Sequence, residues 1–157
     1  MGPQGARGSE REMADVTNSA RIEVYLTVSN GLEAIEFYKR AFGADVVYQE
    51  LTDDGQRVKH AALAAFGGHF MLSDFFPDYI TDVAPRSADA QASIAIQINL
   101  NTPLEVDGAL ARAQSAGATV TMPASDTFWV MRYGRLKDPY GYVWAFGAPL
   151  PLTNNHR

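Results

Sequence analysis

The sequence predicts an α+β domain made of two βαβββ modules that together form a curved, barrel-like cup-shaped sheet. Three observations carry this. Two segments show the same order of strand, helix and three strands. Each helix pattern opens on a capping signature and stops at a glycine. The stop glycines Gly43 and Gly117, and the hairpin glycines Gly67 and Gly141, are each 74 residues apart, as an internal duplication requires. One helix cannot cover the sheet face of such a unit, so pairing two units would close the sheets into a cleft, and clefts between modules commonly hold ligands. Two similar halves of an ordinary α+β sheet remain the alternative.

In the first segment, Arg21–Ser29 reads as a strand. Asn30 is the N-cap of a helix and Glu33 its N3 partner, a capping box. Leu32, Ile35, Tyr38 and Phe42 recur at helical spacing, and Gly43 stands where a left-handed C′ residue belongs. Asp45–Leu51, Val58–Phe66 and His69–Asp74 read as strands joined at Asp53-Asp54-Gly55 and Gly67-Gly68. In the second segment, Ser93–Leu100 is a strand. Thr102-Pro103-Leu104-Glu105 supplies an N-cap, a proline at N1 and an acid at N3. Val106, Leu110 and Ala113 continue the stripe to Gly117, and Thr119–Met122, Trp129–Leu136 and Tyr142–Gly147 are strand-like. Asp138-Pro139-Tyr140-Gly141 has the residues of a type I turn.

The organisation that follows is a flexible tail over 1–20, one domain over 21–148 and a second loose end over 149–157. Within the domain, module one spans 21–74, a linker 75–92 and module two 93–148. The tail holds too little apolar material to offset its ordering entropy, and Met13 is an alternative start. The aromatic beginning and polar remainder of Phe75–Gln91 suit a linker that also covers the mouth of the cup.

Composition excludes several function classes. The 157 residues hold 13 Lys and Arg against 18 Asp and Glu, a net charge of −5, with three His and no Cys. An acidic balance argues against a nucleic-acid partner. Zero Cys excludes disulfides, thiolate metal sites and a cysteine nucleophile. No apolar run reads as an export signal or a membrane span, so the expected home is cytoplasmic. No Ser-His-Asp spacing stands out, and Gly67-Gly68 is a turn rather than a phosphate loop.

AIEFYKRAFGADV (Ala34–Val46), HAALAAFGGHFMLSD (His60–Asp74) and FWVMRYGRLKDPYGYVW (Phe128–Trp144) resemble the vicinal oxygen chelate superfamily, and within it the PhnB-like branch of glyoxalase/bleomycin-resistance proteins. The resemblance runs from about Ile22 to Phe146. It implies two βαβββ modules in a cup-shaped sheet and a homodimer. It leaves the activity open, because relatives include metal-dependent glyoxalases, ring-cleaving dioxygenases, fosfomycin-modifying enzymes and metal-free drug-binding proteins.

In the metal-dependent relatives one ligand comes from each of four strands. That spacing implies a first-strand position near Glu23 and a last-strand position at Ala145, which has no donor atom. SIAIQINL offers Gln97, a poor ligand, and the fourth strand of module one offers His69, Ser73 and Asp74 out of clear register. No metal site is therefore expected, with Glu23 and His69 as weak candidates only. His60 reads as a partly buried imidazole with one hydrogen-bond partner, His69 as a solvated residue at a strand start, and His156 as a tail residue.

Aromatic residues cluster at Phe70, Phe75, Phe76 and Tyr79, at Phe128, Trp129 and Tyr133, and at Tyr140, Tyr142, Trp144 and Phe146. Strand alternation places Phe128, Val130, Arg132 and Gly134 on one face and Trp129, Met131, Tyr133 and Arg135 on the other. Tyr142, Trp144 and Phe146 likewise share a face. The branch usually has Gly-Asp where this chain has Val130-Met131, and often a His after the glycine where this chain has Tyr142, so a cleft here is greasier and less catalytic. The expected ligand-binding residues are Phe70, Phe75, Phe128, Trp129, Met131, Tyr133 and Arg135. No catalytic residue is assigned. Arg132, Arg135 and Lys137 read as a solvated strand edge, with a cation for an acidic ligand as the alternative.

The expected function is metal-independent binding of a small hydrophobic or aromatic molecule by a cytoplasmic homodimer without cofactor, nucleic-acid or membrane partner. The alternatives are a metal-dependent glyoxalase-type lyase or isomerase, for which a divalent metal would be needed, and a structural or interaction module with no ligand.

Overall fold

The computed structural model describes residues 20–78 and 83–152. They group into two compact units, one within Met1–Ser87 and the other within Ala88–Arg157. Most of the 1–20 segment, Met13, Tyr79 and His156 lie outside the described residues.

Each unit is a βαβββ module. The first holds β1 (Val24–Thr27), α1 (Gly31–Phe42), β2 (Asp45–Leu51), β3 (Val58–Ala65) and β4 (Gly68–Ser73). The second holds β5 (Ile96–Asn99), α2 (Pro103–Ala116), β6 (Thr119–Asp126), β7 (Met131–Lys137) and β8 (Val143–Pro149). Both sheets are open, four-stranded and mixed, in the orders β1-β4-β3-β2 and β5-β8-β7-β6. The first strand of each pairs parallel with the last, and the other pairs are antiparallel.

The capping signatures act as read. Asn30 accepts from the Glu33 backbone N–H at 3.2 Å and donates to the Glu33 carboxylate at 3.3 Å. Thr102 accepts from the Glu105 N–H at 3.3 Å and donates to its carboxylate at 2.9 Å. Gly43 and Gly117 close the helices at φ 65° and 119°, and Gly67 and Gly141 lie at 74° and 89° in equivalent hairpins. All four glycines of the 74-residue repeat thus occupy backbone space that a Cβ disfavours.

In module one, Ala34, Ile35, Phe37, Tyr38, Ala41 and Phe42 turn the buried side of α1 onto Leu26, Leu63, Phe70 and Leu72. The Tyr38 and Phe70 rings meet edge to face at 5.1 Å. In module two, Val106, Leu110 and Ala113 of α2 bury with Leu136, Trp144 and Phe146. Gly134 permits this approach: a Cβ there would stand 2.5 Å from Leu110 Cδ1 and 3.0 Å from the Met122 carbonyl.

Several boundaries differ from the sequence reading. The first strand of each module is only four residues long, matching its four rungs to the last strand. The last strand runs on to Pro149, held by seven rungs to β7. The Gly67-Gly68 turn is centred on Phe66-Gly67, both with positive φ, as a two-residue hairpin with right-handed strand twist requires. The strand expected from Trp129 starts at Met131, and Phe128–Val130 are a turn. Thr127 closes that turn: its N–H and hydroxyl both donate to the Met131 carbonyl at 2.9 Å, and Val130 takes φ 65°.

Candidate functional site

Each sheet has one face under its helix and one face free of it, and register assigns every side chain. In module two, Ile96, Ile98, Trp144, Phe146, Leu136 and Gly134 turn toward α2. The alternate set, Gln97, Asn99, Ala145, Gly147, Met131, Tyr133, Arg135 and Lys137, forms the helix-free face. Gly147 lets neighbouring side chains close over the strand there, since a Cβ on it would meet Gln97 Nε2 at 3.1 Å and Met131 and Tyr133 at 3.4 Å.

Four of the expected ligand residues meet on this face. The Trp129 and Tyr133 rings lie edge to face at 5.8 Å. Arg135 Nε donates to the Tyr133 hydroxyl at 2.8 Å, and Met131 borders Gly147. Phe128 leaves the face that alternation assigned to it, because the turn takes it out of β-strand geometry. It stacks edge to face on Trp129 at 4.9 Å and is 94% exposed, with Trp129 47% exposed. An apolar hairpin tip of this kind points to contact with something other than water.

The remaining two lie in module one. Phe70 is 6% exposed in the core between α1 and its sheet, so its expected place as a ligand-lining residue is corrected: even strand positions of β4 face the helix. Phe75 is half-buried just past β4, and its carbonyl accepts from the Arg57 guanidinium, which also stacks over Phe76 at 4.1 Å.

The same register tests the metal positions. Gln97 pairs with Ala145 on the helix-free face of module two, and the counterpart rung in module one is Tyr25 with Met71. Glu23 therefore misses the first-strand position. It precedes β1 and pairs with Arg21. His69 is half-buried opposite Ala64. Among the described residues no three His, Asp or Glu side chains gather. Neither rung carries a His or a carboxylate.

One cluster escaped the sequence reading. Tyr25 and Tyr48 flank His60 on the helix-free face of module one, with ring centroids at 5.5 and 5.8 Å. The Tyr25 hydroxyl meets His60 Nδ1 at 2.9 Å, the single partner expected for this imidazole. His60 Nε2 is buried without a partner among the described residues. Desolvation holds the imidazole pKa below its ordinary value, with Glu50 opposite partly opposing the shift. Strand parity pairs Tyr25 with Thr27, but only the register sets Tyr25 beside His60.

Arg132 is also relocated. It turns to the helix side of β7, where Asp107 of α2 accepts from its guanidinium at 2.8 and 3.2 Å and Asp126 at 3.1 Å. These two carboxylates raise its pKa above the ordinary value. Its role is to tie α2 to the β6–β7 hairpin.

Among the described residues no helix is long and apolar enough to cross a membrane. The Glyoxalase/Bleomycin resistance protein/Dioxygenase superfamily matches residues 20–146. An uncharacterised protein of Mycobacterium bovis is 35% identical over 132 residues, covering 83% of this chain and 84% of its own. Among solved structures, a glyoxalase-related enzyme from Fulvimarina pelagi matches with a TM-score of 0.65 at 18% identity, over 87% of this chain and 95% of that one. The fosfomycin resistance protein FosX from Listeria monocytogenes, solved with Mn(II) and a dihydroxypropylphosphonic acid, matches with a TM-score of 0.61 at 14% identity, over 83% and 90%. At these identities the structural matches speak to fold alone. With the family matched from Ala20 into the last strand at Phe146, and both modules folded as βαβββ units, this chain belongs to the glyoxalase/bleomycin resistance/dioxygenase superfamily.

Proposed function

We propose that this chain is a PhnB-like member of the superfamily that binds a small, flat hydrophobic or aromatic molecule, as a homodimer and without a metal. The observation that carries the reading is the Trp129–Tyr133 pair at 5.8 Å, with Met131 and Arg135 on the same face and Phe128 exposed beside it. Two rings set edge to face offer a flat ligand both a stacking surface and a wall, and Met131 adapts its shape to what lies on it. Metal independence is supported by the first-to-last-strand rung of each module taken by itself, Tyr25 with Met71 and Gln97 with Ala145, which carries no His or carboxylate.

A thermal-shift screen of flat aromatic compounds tests this. A ligand at about 100 times its Kd adds about 2.7 kcal/mol, a rise of roughly 5–10 °C for a domain of this size. Trp129→Ala, at an exposed turn, should keep the fold and abolish the shift. A blank screen, or shifts that persist unchanged in Trp129→Ala, would overturn the proposal.

A further inference from the structure

A pocket of about 480 Å3 lies in module two, lined by Asp89–Ala95 together with Thr121, Arg135, Lys137 and Val143. Its floor is the helix-free face of β7 and β8, and the 89–95 segment forms its rim. The Lys137 ammonium ties that rim down by donating to the Ala90 carbonyl at 2.9 Å. An ammonium has three donors, so two remain. Arg135 spends its Nε on the Tyr133 hydroxyl and keeps its two terminal nitrogens.

The three cations of β7 are treated differently. Arg132, on the helix side, is held by two aspartates. Arg135 and Lys137, two residues apart on the other side, have no carboxylate within ion-pair distance among the described residues. Asp89 also lines the pocket but forms no ion pair with either. Two neighbouring positive charges repel, and placing them at one pocket without an acidic partner costs stability unless an anion completes the set.

Resting on the binding face proposed above, we infer that the ligand carries an acidic oxyanion group, a carboxylate or a phosphate, seated between Arg135 and Lys137. Its apolar body then runs along β7 toward Tyr133 and Trp129, which lie on the same face. The terminal nitrogens of Arg135 suit the two oxygens of such a group. The ligand class is a small aromatic acid or aromatic phosphate rather than a neutral drug-like molecule.

Calorimetric titration with 2-naphthoate, naphthyl phosphate and neutral 2-naphthamide tests this on wild type, on Arg135→Gln/Lys137→Gln and on Trp129→Ala. The expected result is that one of the two acids binds roughly tenfold to hundredfold tighter than the amide, and whichever binds tighter identifies the head group. The preference should vanish in the double variant. Trp129→Ala should weaken acid and amide alike. Equal binding of acid and amide to wild type overturns the anionic head while leaving the aromatic face standing. Binding of none of the three overturns both. A preference that survives in the double variant places the anion elsewhere and overturns the inference. Circular dichroism of each variant confirms that the surface substitutions leave the fold intact.

Discussion

Replacing Asp138 by alanine is the sharpest test of what holds module two in shape. Asp138 is buried at the β7–β8 turn. One carboxylate oxygen accepts from the backbone N–H groups of Tyr140 at 2.9 Å and Tyr142 at 3.0 Å, and the other accepts from Trp144 Nε1 at 2.9 Å. Alanine leaves these donors without that acceptor. The Tyr142 N–H is only partly buried and can reach water, so two orphaned donors carry most of the cost. At about 1–3 kcal/mol for each buried donor, the loss is roughly 2–6 kcal/mol. A lower bound of about 2 kcal/mol lowers Tm by roughly 4–8 °C in a domain of this size. Asparagine keeps the oxygen facing Tyr140 and Tyr142 but sets an amide N–H against the indole N–H, so its loss should be about 1–3 kcal/mol. The assay is urea and thermal unfolding in a Trp129→Phe background, where Trp144 is the single remaining tryptophan. The expected order of stability is wild type, then Asn, then Ala, with Trp144 emission shifted in both variants. An alanine variant that melts within about 2 °C of wild type would refute the claim that this carboxylate organises the turn. The register of Tyr133 on Gly147 and Arg135 on Ala145 would then have another source.

Two further outcomes follow from the packing and from the imidazole. Gly134→Ala drives a methyl group into Leu110 Cδ1 and the Met122 carbonyl, at 2.5 and 3.0 Å, and should cost about 1–3 kcal/mol; an unchanged urea midpoint would show that α2 does not seat on β7 this tightly. Burial favours the neutral form of His60 in the folded state, so its folded pKa lies below the unfolded value of 6.5. The unfolded chain therefore binds the proton first, and this contribution lowers stability as pH falls below about 6.5, levelling off below the folded pKa. His60→Gln should flatten that part of the profile between pH 7.5 and 5.5, and an identical slope in wild type and variant would remove His60 as the source.

The sheet's two faces explain how much of the candidate site could be read beforehand. Trp129, Met131, Tyr133 and Arg135 were grouped by strand alternation, and the structure keeps them on one side because three of them sit on β7 itself. Phe128 was misassigned by the same rule, since alternation holds only where the backbone is extended and Val130 is in a left-handed conformation. Phe70 was misassigned for a different reason. Aromatic clustering along the chain does not say which face of a strand meets the helix, and the contact with Tyr38 decides it.

Local chemistry alone determined the module plan. Capping residues, stop glycines and hairpin turns act over three to six residues, so Asn30, Thr102, Gly43 and Gly117 declare themselves in one dimension. The 74-residue repeat needed only counting. Register between strands distant in sequence was left to the tertiary structure. Pairing β1 with β4 and β5 with β8 moved the counterpart of Gln97 from Glu23 to Tyr25. Alternation already set Arg132 on the opposite face from Arg135, but only the packing of a helix whose Asp107 lies 25 residues earlier shows that Arg132 is clamped. Charge on a strand is visible in sequence, but whether that charge is neutralised depends on which elements pack beside it.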